Sequence, residues 1–208
     1  MKNTHMKDQR GGTATILRDK IVHTSYGCRS DHLGRWTTMT FRGRDGHNFH
    51  TITAYRPQPN TNPYGVYQQL LQYNNDQSLD EDPITTYDKQ LCVFIKSLIT
   101  KGDQLLLMID ANEDLSNTSS KSFTATMAAM GLNESILSRH PQLSIPATRT
   151  PGKKPIDTIF CSSSIVINAS GYAPFNGFSD HRLVWVDIQW ESVFSHHSVS
   201  YTHLRAHE

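Results

Sequence analysis

The sequence predicts an α/β fold, a sandwich of helices on a mixed sheet rather than a purely parallel sheet. Three observations carry this. Segments 35–42 (RWTTMTFR) and 48–55 (NFHTITAY) alternate, are rich in Thr and aromatics, and flank the turn Arg44-Asp45-Gly46, which predicts a β-hairpin. Ile84, Tyr87, Leu91, Phe94, Ile95 and Leu98 recur at helical spacing. Segment 105–109 (LLLMI) is an unbroken apolar run of strand length, as expected of a central strand buried on both faces. Hairpins combined with helix-flanked strands require mixed layers.

The elements follow in order. Segment 13–17 (TATIL), after Gly11 and Gly12, reads as a short strand. The hairpin comes next, then a Pro/Asn-rich loop over 56–63 (RPQPNTNP) that excludes an early helix start. Residues 66–73 read as a helix. Asp82-Pro83 is a helix start, because Asp caps and Pro is tolerated in the first turn, and Gly102 ends that helix. After the apolar strand, 122–130 reads as a helix stopped by Gly131. Residues 140–155 are loop-like and basic. Segments 156–161, 165–173 and 183–188 read as strands, with a Gly-containing loop over 175–180.

The chain has 208 residues, 37% of them hydrophobic, which suits one domain with a real core. No run of about 18 apolar residues predicts a membrane span. The polar start MKNTHMKDQR lacks the apolar region of a secretory signal. Cys28, Cys92 and Cys161 are far apart and odd in number, so neither a disulfide framework nor a zinc site is expected, and an intracellular compartment follows. The eleven histidines are mostly isolated and read as surface or loop residues. A net charge of +1 hides an asymmetry: residues 1–50 hold nine Lys/Arg against four Asp/Glu, and residues 76–114 hold nine Asp/Glu against three Lys. That pattern suits a surface for a polyanion beside a pocket for a cation.

Polar groups gather where strands begin or end. The apolar strand delivers Asp110-Ala111-Asn112, and alternation points Asp110 and Asn112 to one side. Together they can orient a water and hold a phosphate oxygen, although both are also ordinary turn residues. Asp157 stands inside an apolar strand, where a carboxylate needs a partner or an exposed strand edge. Ser179-Asp180-His181 precedes the last strand; an imidazole oriented by a carboxylate is an acid–base element, and Asp180 could ligate a hard cation. Tyr55-Arg56 ends the hairpin, either gripping phosphate oxygens or as a core Tyr beside a solvated Arg.

In this order (Tyr, D-x-N, Asp, S-D-H) the sites resemble the endonuclease/exonuclease/phosphatase superfamily, over roughly residues 11–189. The resemblance implies a four-layered α/β sandwich of two packed mixed sheets, and phosphoester hydrolysis assisted by Mg²⁺ or Mn²⁺. By the same resemblance Asp110 orients or activates water and Asn112 holds the phosphate and Asp110. His181, paired with Asp157, stabilises the transition state, Tyr55 holds a phosphate oxygen, and Asp180 lies near the metal. The stretch GRWTTMTFRG…TAYRPQPN is similar to endonuclease domains of mobile elements, which implies DNA as partner and a nuclear setting.

Two departures stand out. Ile109 occupies the glycine of the superfamily's G-D-x-N motif. The strands carrying its catalytic Asn and metal-binding Glu have no counterpart, since Asp8, Asp19, Asp31 and Asp45 match neither. The expectation is therefore an N-terminally incomplete domain over 11–190, its activity impaired, with tails at 1–10 and 191–208 and with other domains lost from the chain. Segment 199–208 (VSYTHLRAHE) resembles a translated sequencing adapter. Two other readings stay open: a phosphatase of inositol phosphates or lipid head groups, and a non-catalytic nucleic-acid-binding remnant.

Overall fold

The computed structural model describes residues 13–141, 146–177 and 179–195. Gly11, Gly12 and the adapter-like 199–208 lie outside the described residues.

Among the described residues there are eight strands and three α-helices. The strands are β1 (Ser25–Ser30), β2 (Trp36–Arg42), β3 (Asn48–Tyr55), β4 (Gln104–Asp110), β5 (Leu132–Glu134), β6 (Asp157–Ser162), β7 (Ile167–Tyr172) and β8 (Val184–Ile188). The helices are α1 (Val66–Asp76), α2 (Pro83–Ile99) and α3 (Phe123–Ala129). Six strands form one sheet in the order β1-β2-β3-β4-β6-β5, and β7 and β8 form a second. β3 and β4 are parallel, as a helical crossover demands, whereas the other pairings are antiparallel.

Alternation along the strands divides the interior into two cores. Ile52, Ala54, Leu105, Leu107, Ile109 and Phe160 face the helices, packing with Leu70, Tyr87, Leu91 and Ile95. Phe49, Leu106, Ile159 and Cys161 face the other way, joined by Val184, Val186 and Ile188 of β8. The described residues thus form helices on a mixed sheet, with a small antiparallel sheet packed against its far face. The central apolar run is buried on both sides, as its composition requires.

Local chemistry explains the boundaries. Asp82 caps α2, its Oδ2 accepting from the N–H of Ile84 at 2.9 Å and of Thr85 at 3.1 Å. Gly102 and Gly131 follow α2 and α3 with φ of +78° and +80°, conformations that favour glycine.

Several expectations need correction. Residues 13–17 join no ladder; they cross the sheet face, Thr13 Oγ1 at 2.8 Å from Thr37 Oγ1 and Thr15 Oγ1 at 3.2 Å from Thr53 Oγ1. The strands β1 and β5 were not expected: β1 (SYGCRS) has no apolar alternation and β5 has three residues. His50 is no surface histidine. It is buried, with Nε2 3.0 Å from Asp103 Oδ2 and Nδ1 3.2 Å from Thr40 Oγ1. Packing also continues past residue 190, because Val193 and Phe194 are buried against Phe41 and Phe49. Among the described residues no helix is long and apolar enough to cross a membrane.

Candidate active site

Three adjacent strands place three candidate residues side by side. Tyr55 ends β3 and lies opposite Asp110, the last residue of β4, in the parallel register. Asp157 opens β6 and lies opposite Asp110 from the other side. All three share the strand parity of residues facing the small sheet, so their side chains emerge at one end of the seam between the two sheets. They line a cavity of about 300 Å³ whose floor includes Met108, Ile159 and Val184.

The small sheet contributes the fourth group. His181 lies just before β8, and its Nδ1 is 3.1 Å from Asp157 Oδ1 and 2.9 Å from Oδ2. That pairing answers the demand made by an acid in an apolar strand. Further contacts fix Asp157: Thr148 Oγ1 accepts from the N–H of Ile156 at 2.9 Å and of Asp157 at 3.1 Å. With Nδ1 occupied, Nε2 is the nitrogen left to meet a substrate.

Burial of Asp110, reinforced by the charge of Asp157, pushes its carboxyl up from the ordinary 3.8 to about 6. The backbone N–H of Asn112, which donates to Asp110 Oδ1 at 3.0 Å, and the charges of His181 and Arg149 partly offset that rise. Asn112 adopts φ +47°, a conformation Asn tolerates, and its Nδ2 donates to the carbonyl of Arg56 at 2.7 Å. The D-x-N motif therefore closes a tight turn around the acid and ties it to the end of β3.

The structure corrects the arginine half of both readings of Tyr55-Arg56. Arg56 is neither solvated nor free to grip a phosphate. Its Nε and Nη2 donate to the two oxygens of Asp88 at 2.8 and 2.7 Å, and Nη1 lies 3.0 Å from Glu113. It anchors the β3 exit to α2 and to the loop after β4.

Asp180 stands apart from the other acids. Its carboxylate is half exposed and accepts from Arg149 Nε at 2.9 Å, and that guanidinium holds the Asp180 carboxyl below the usual carboxylate range. Arg149 was not among the sequence candidates. Its only sequence signal was that of one basic residue in a loop, and a backbone bridge to His181 brings it to the site.

Single atoms of Asp110, Asp157 and His181 all lie within 4.8 Å of one another, so the three could hold a metal ion. Two carboxylates make such a group suited to a hard divalent cation. Burial accounts for most of the rise in the Asp110 pKa, and the Asp157 charge that adds to it is one a cation at this point would offset.

No protein-family model matches the chain, and no curated protein matches it. Solved structures do. The 3′ phosphatase NExo from Neisseria, bound to a product DNA hairpin, is similar with TM-score 0.56 and 15% identity, covering 77% of this chain and 66% of that one. The 3′-5′ exonuclease NExo from Neisseria meningitidis gives 0.53 and 15%, covering 76% and 66%. The chain thus spans slightly under two thirds of the length of each. Likeness at this identity shows the fold alone, a mixed α/β architecture like that of these two proteins.

Proposed function

We propose that this chain carries a metal-assisted phosphoester hydrolase domain that acts on DNA, of the endonuclease kind carried by mobile elements. The observation that carries the reading is the convergence of Asp110, Asp157 and His181 at the open end of the seam between the sheets. The Neisseria structures support DNA as substrate, one being described as a 3′ phosphatase bound to a DNA hairpin and the other as a 3′-5′ exonuclease. The basic character of residues 1–50 agrees with a polyanionic partner.

A bound Mg²⁺ or Mn²⁺ would neutralise phosphate charge and stabilise the departing oxygen. The protein's own groups do the rest. Asp110, with its carboxyl raised to about 6, takes a proton from the attacking water near neutral pH. Asn112 holds Asp110 in place through its backbone N–H. Asp157 orients the His181 ring, whose Nε2 donates to the phosphate oxygen that gains charge. Tyr55, on the same face as Asp110, holds a second oxygen. Asp180 is the further carboxylate assigned to the metal, and it is shared with Arg149. A nuclear setting belongs to the mobile-element reading.

The test is a supercoiled-plasmid nicking assay with Mg²⁺ and with Mn²⁺. The chain is compared with its Asp110→Ala/His181→Ala variant and with a version extended upstream from its source locus. Metal-dependent nicking that the double substitution reduces by at least roughly a thousandfold is expected, strongest in the extended version. Nicking that survives the double substitution, or none in either version, would refute the assignment.

A further inference from the structure

Arg149 occupies a position that no motif assigns and the mechanism above does not use. It forms a backbone bridge with His181 across two extended segments. The hydrogen bonds of that bridge run from Thr150 N to Asp180 O at 2.8 Å and from Arg182 N to Thr148 O at 2.7 Å. They bracket the Arg149–His181 pair without joining it, which is the narrow kind of antiparallel pair. Side chains directly opposite in such a pair rise on the same face and stand closest together. His181 points into the site, toward Asp157. Arg149 therefore rises beside it, at the rim rather than on the outer surface.

The electrostatics agree with that placement. The Arg149 charge bears on both Asp110 and Tyr55, the groups at the opposite side of the mouth. The Arg149 side chain is 45% exposed, and Asp180 holds its guanidinium through Nε. An exposed Arg–carboxylate pair of this kind contributes little stability, so exchanging the carboxylate for another oxyanion costs little. A guanidinium fork matches phosphate at least as well as carboxylate.

We propose that Arg149 is a phosphate-binding residue of this site. It rests on Asp180 in the free protein and transfers to a non-bridging oxygen of the substrate phosphate. The proposal rests on the phosphoester reading above and adds a residue to it. Asp180 then has two roles in succession: it holds the guanidinium at the rim and, once released, is free for the cation. The exchange is one of ion pairs, and no covalent bond forms or breaks.

The test uses the whole chain, with two readouts. The first is binding of a short fluorescein-labelled single-stranded DNA, followed by anisotropy in chelator across a salt series. The second is turnover of bis(p-nitrophenyl) phosphate with Mn²⁺. Arg149→Ala is expected to weaken DNA binding and raise KM by roughly tenfold each, with kcat changed much less. It should also lower the slope of log K against log salt by about 1. Arg149→Lys should restore part of both, since it keeps the charge without the fork. Asp180→Asn, which releases Arg149, should bind DNA in chelator at least as tightly as the native chain. A change in KM and K of less than twofold with an unaltered salt slope for Arg149→Ala in a folded protein would overturn the proposal, as would weaker binding by Asp180→Asn. DNA binding that depends on Arg149 without any turnover would sink the hydrolase reading and keep the phosphate-binding role. If the native chain neither binds nor turns over, both fall.

Discussion

At the scale of single residues, Asp110 is the group whose environment is most telling. Its folded-state pKa of about 6 lies above the ordinary 3.8, so the folded protein resists ionisation that the unfolded chain accepts. Stability contributed by this group is therefore intact below pH 3.8, declines as pH rises through the window to 6, and stays lost above it. Asp110→Asn removes the charge and keeps an acceptor for the Asn112 N–H. In chelator it should stabilise the fold by on the order of 2 kcal/mol at pH 7 and by nothing at pH 3.5, as read by denaturant titration at the two pH values. Equal stability of the two proteins at pH 7 would show that neither burial nor the Asp157 charge opposes ionisation of Asp110. The motif positions of Asp110, Asn112, Asp157 and His181 were legible in the sequence because their order along strand ends is specific. Arg56 and Arg149 were not, and could have been exchanged by guesswork. One is buried on Asp88 and the other stands at the rim, a difference set by partners that are distant in sequence, or brought together by a loop.

Elements declared themselves where local chemistry and periodicity agree. α2 carries both, since its Asp82-Pro83 start precedes an apolar stripe at helical spacing. Asp82→Ala should cost about 1 kcal/mol of stability, because two N–H groups lose their shared acceptor. An unchanged thermal midpoint would mean that tertiary packing alone fixes the start of α2. The hairpin of β2 and β3 was equally plain, and its residues pair in continuous register from Trp36↔Ala54 to Arg42↔Asn48. Elements failed to declare themselves where alternation was absent or misleading. β1 exists because β2 offers it an edge. Segment 13–17 alternates as a strand does, yet its threonines bond side chain to side chain across the sheet face. Such a placement has no periodic signal of its own.

For the whole molecule, the two cores set the limits of what is cooperative. Phe194 lies beyond the boundary drawn from sequence, yet it is 3% exposed, with ring centroids 5.6 Å from Phe49 and 4.1 Å from Trp190. Phe194→Ala should destabilise the protein by about 3 kcal/mol, measured by denaturant unfolding, and a loss below about 1 kcal/mol would return those residues to the tail. The sequence by itself determined the fold class, the central buried strand, the hairpin, the long helix and the residues at the strand ends, because periodicity, capping and turn chemistry are local. Tertiary structure alone decided that Tyr55, Asp110 and Asp157 stand abreast on neighbouring strands. It alone brought His181 across from the small sheet to meet them, with Arg149 at its side. Register and sheet packing join residues 24 to 55 positions apart, and no local pattern records which distant strand end a side chain will face.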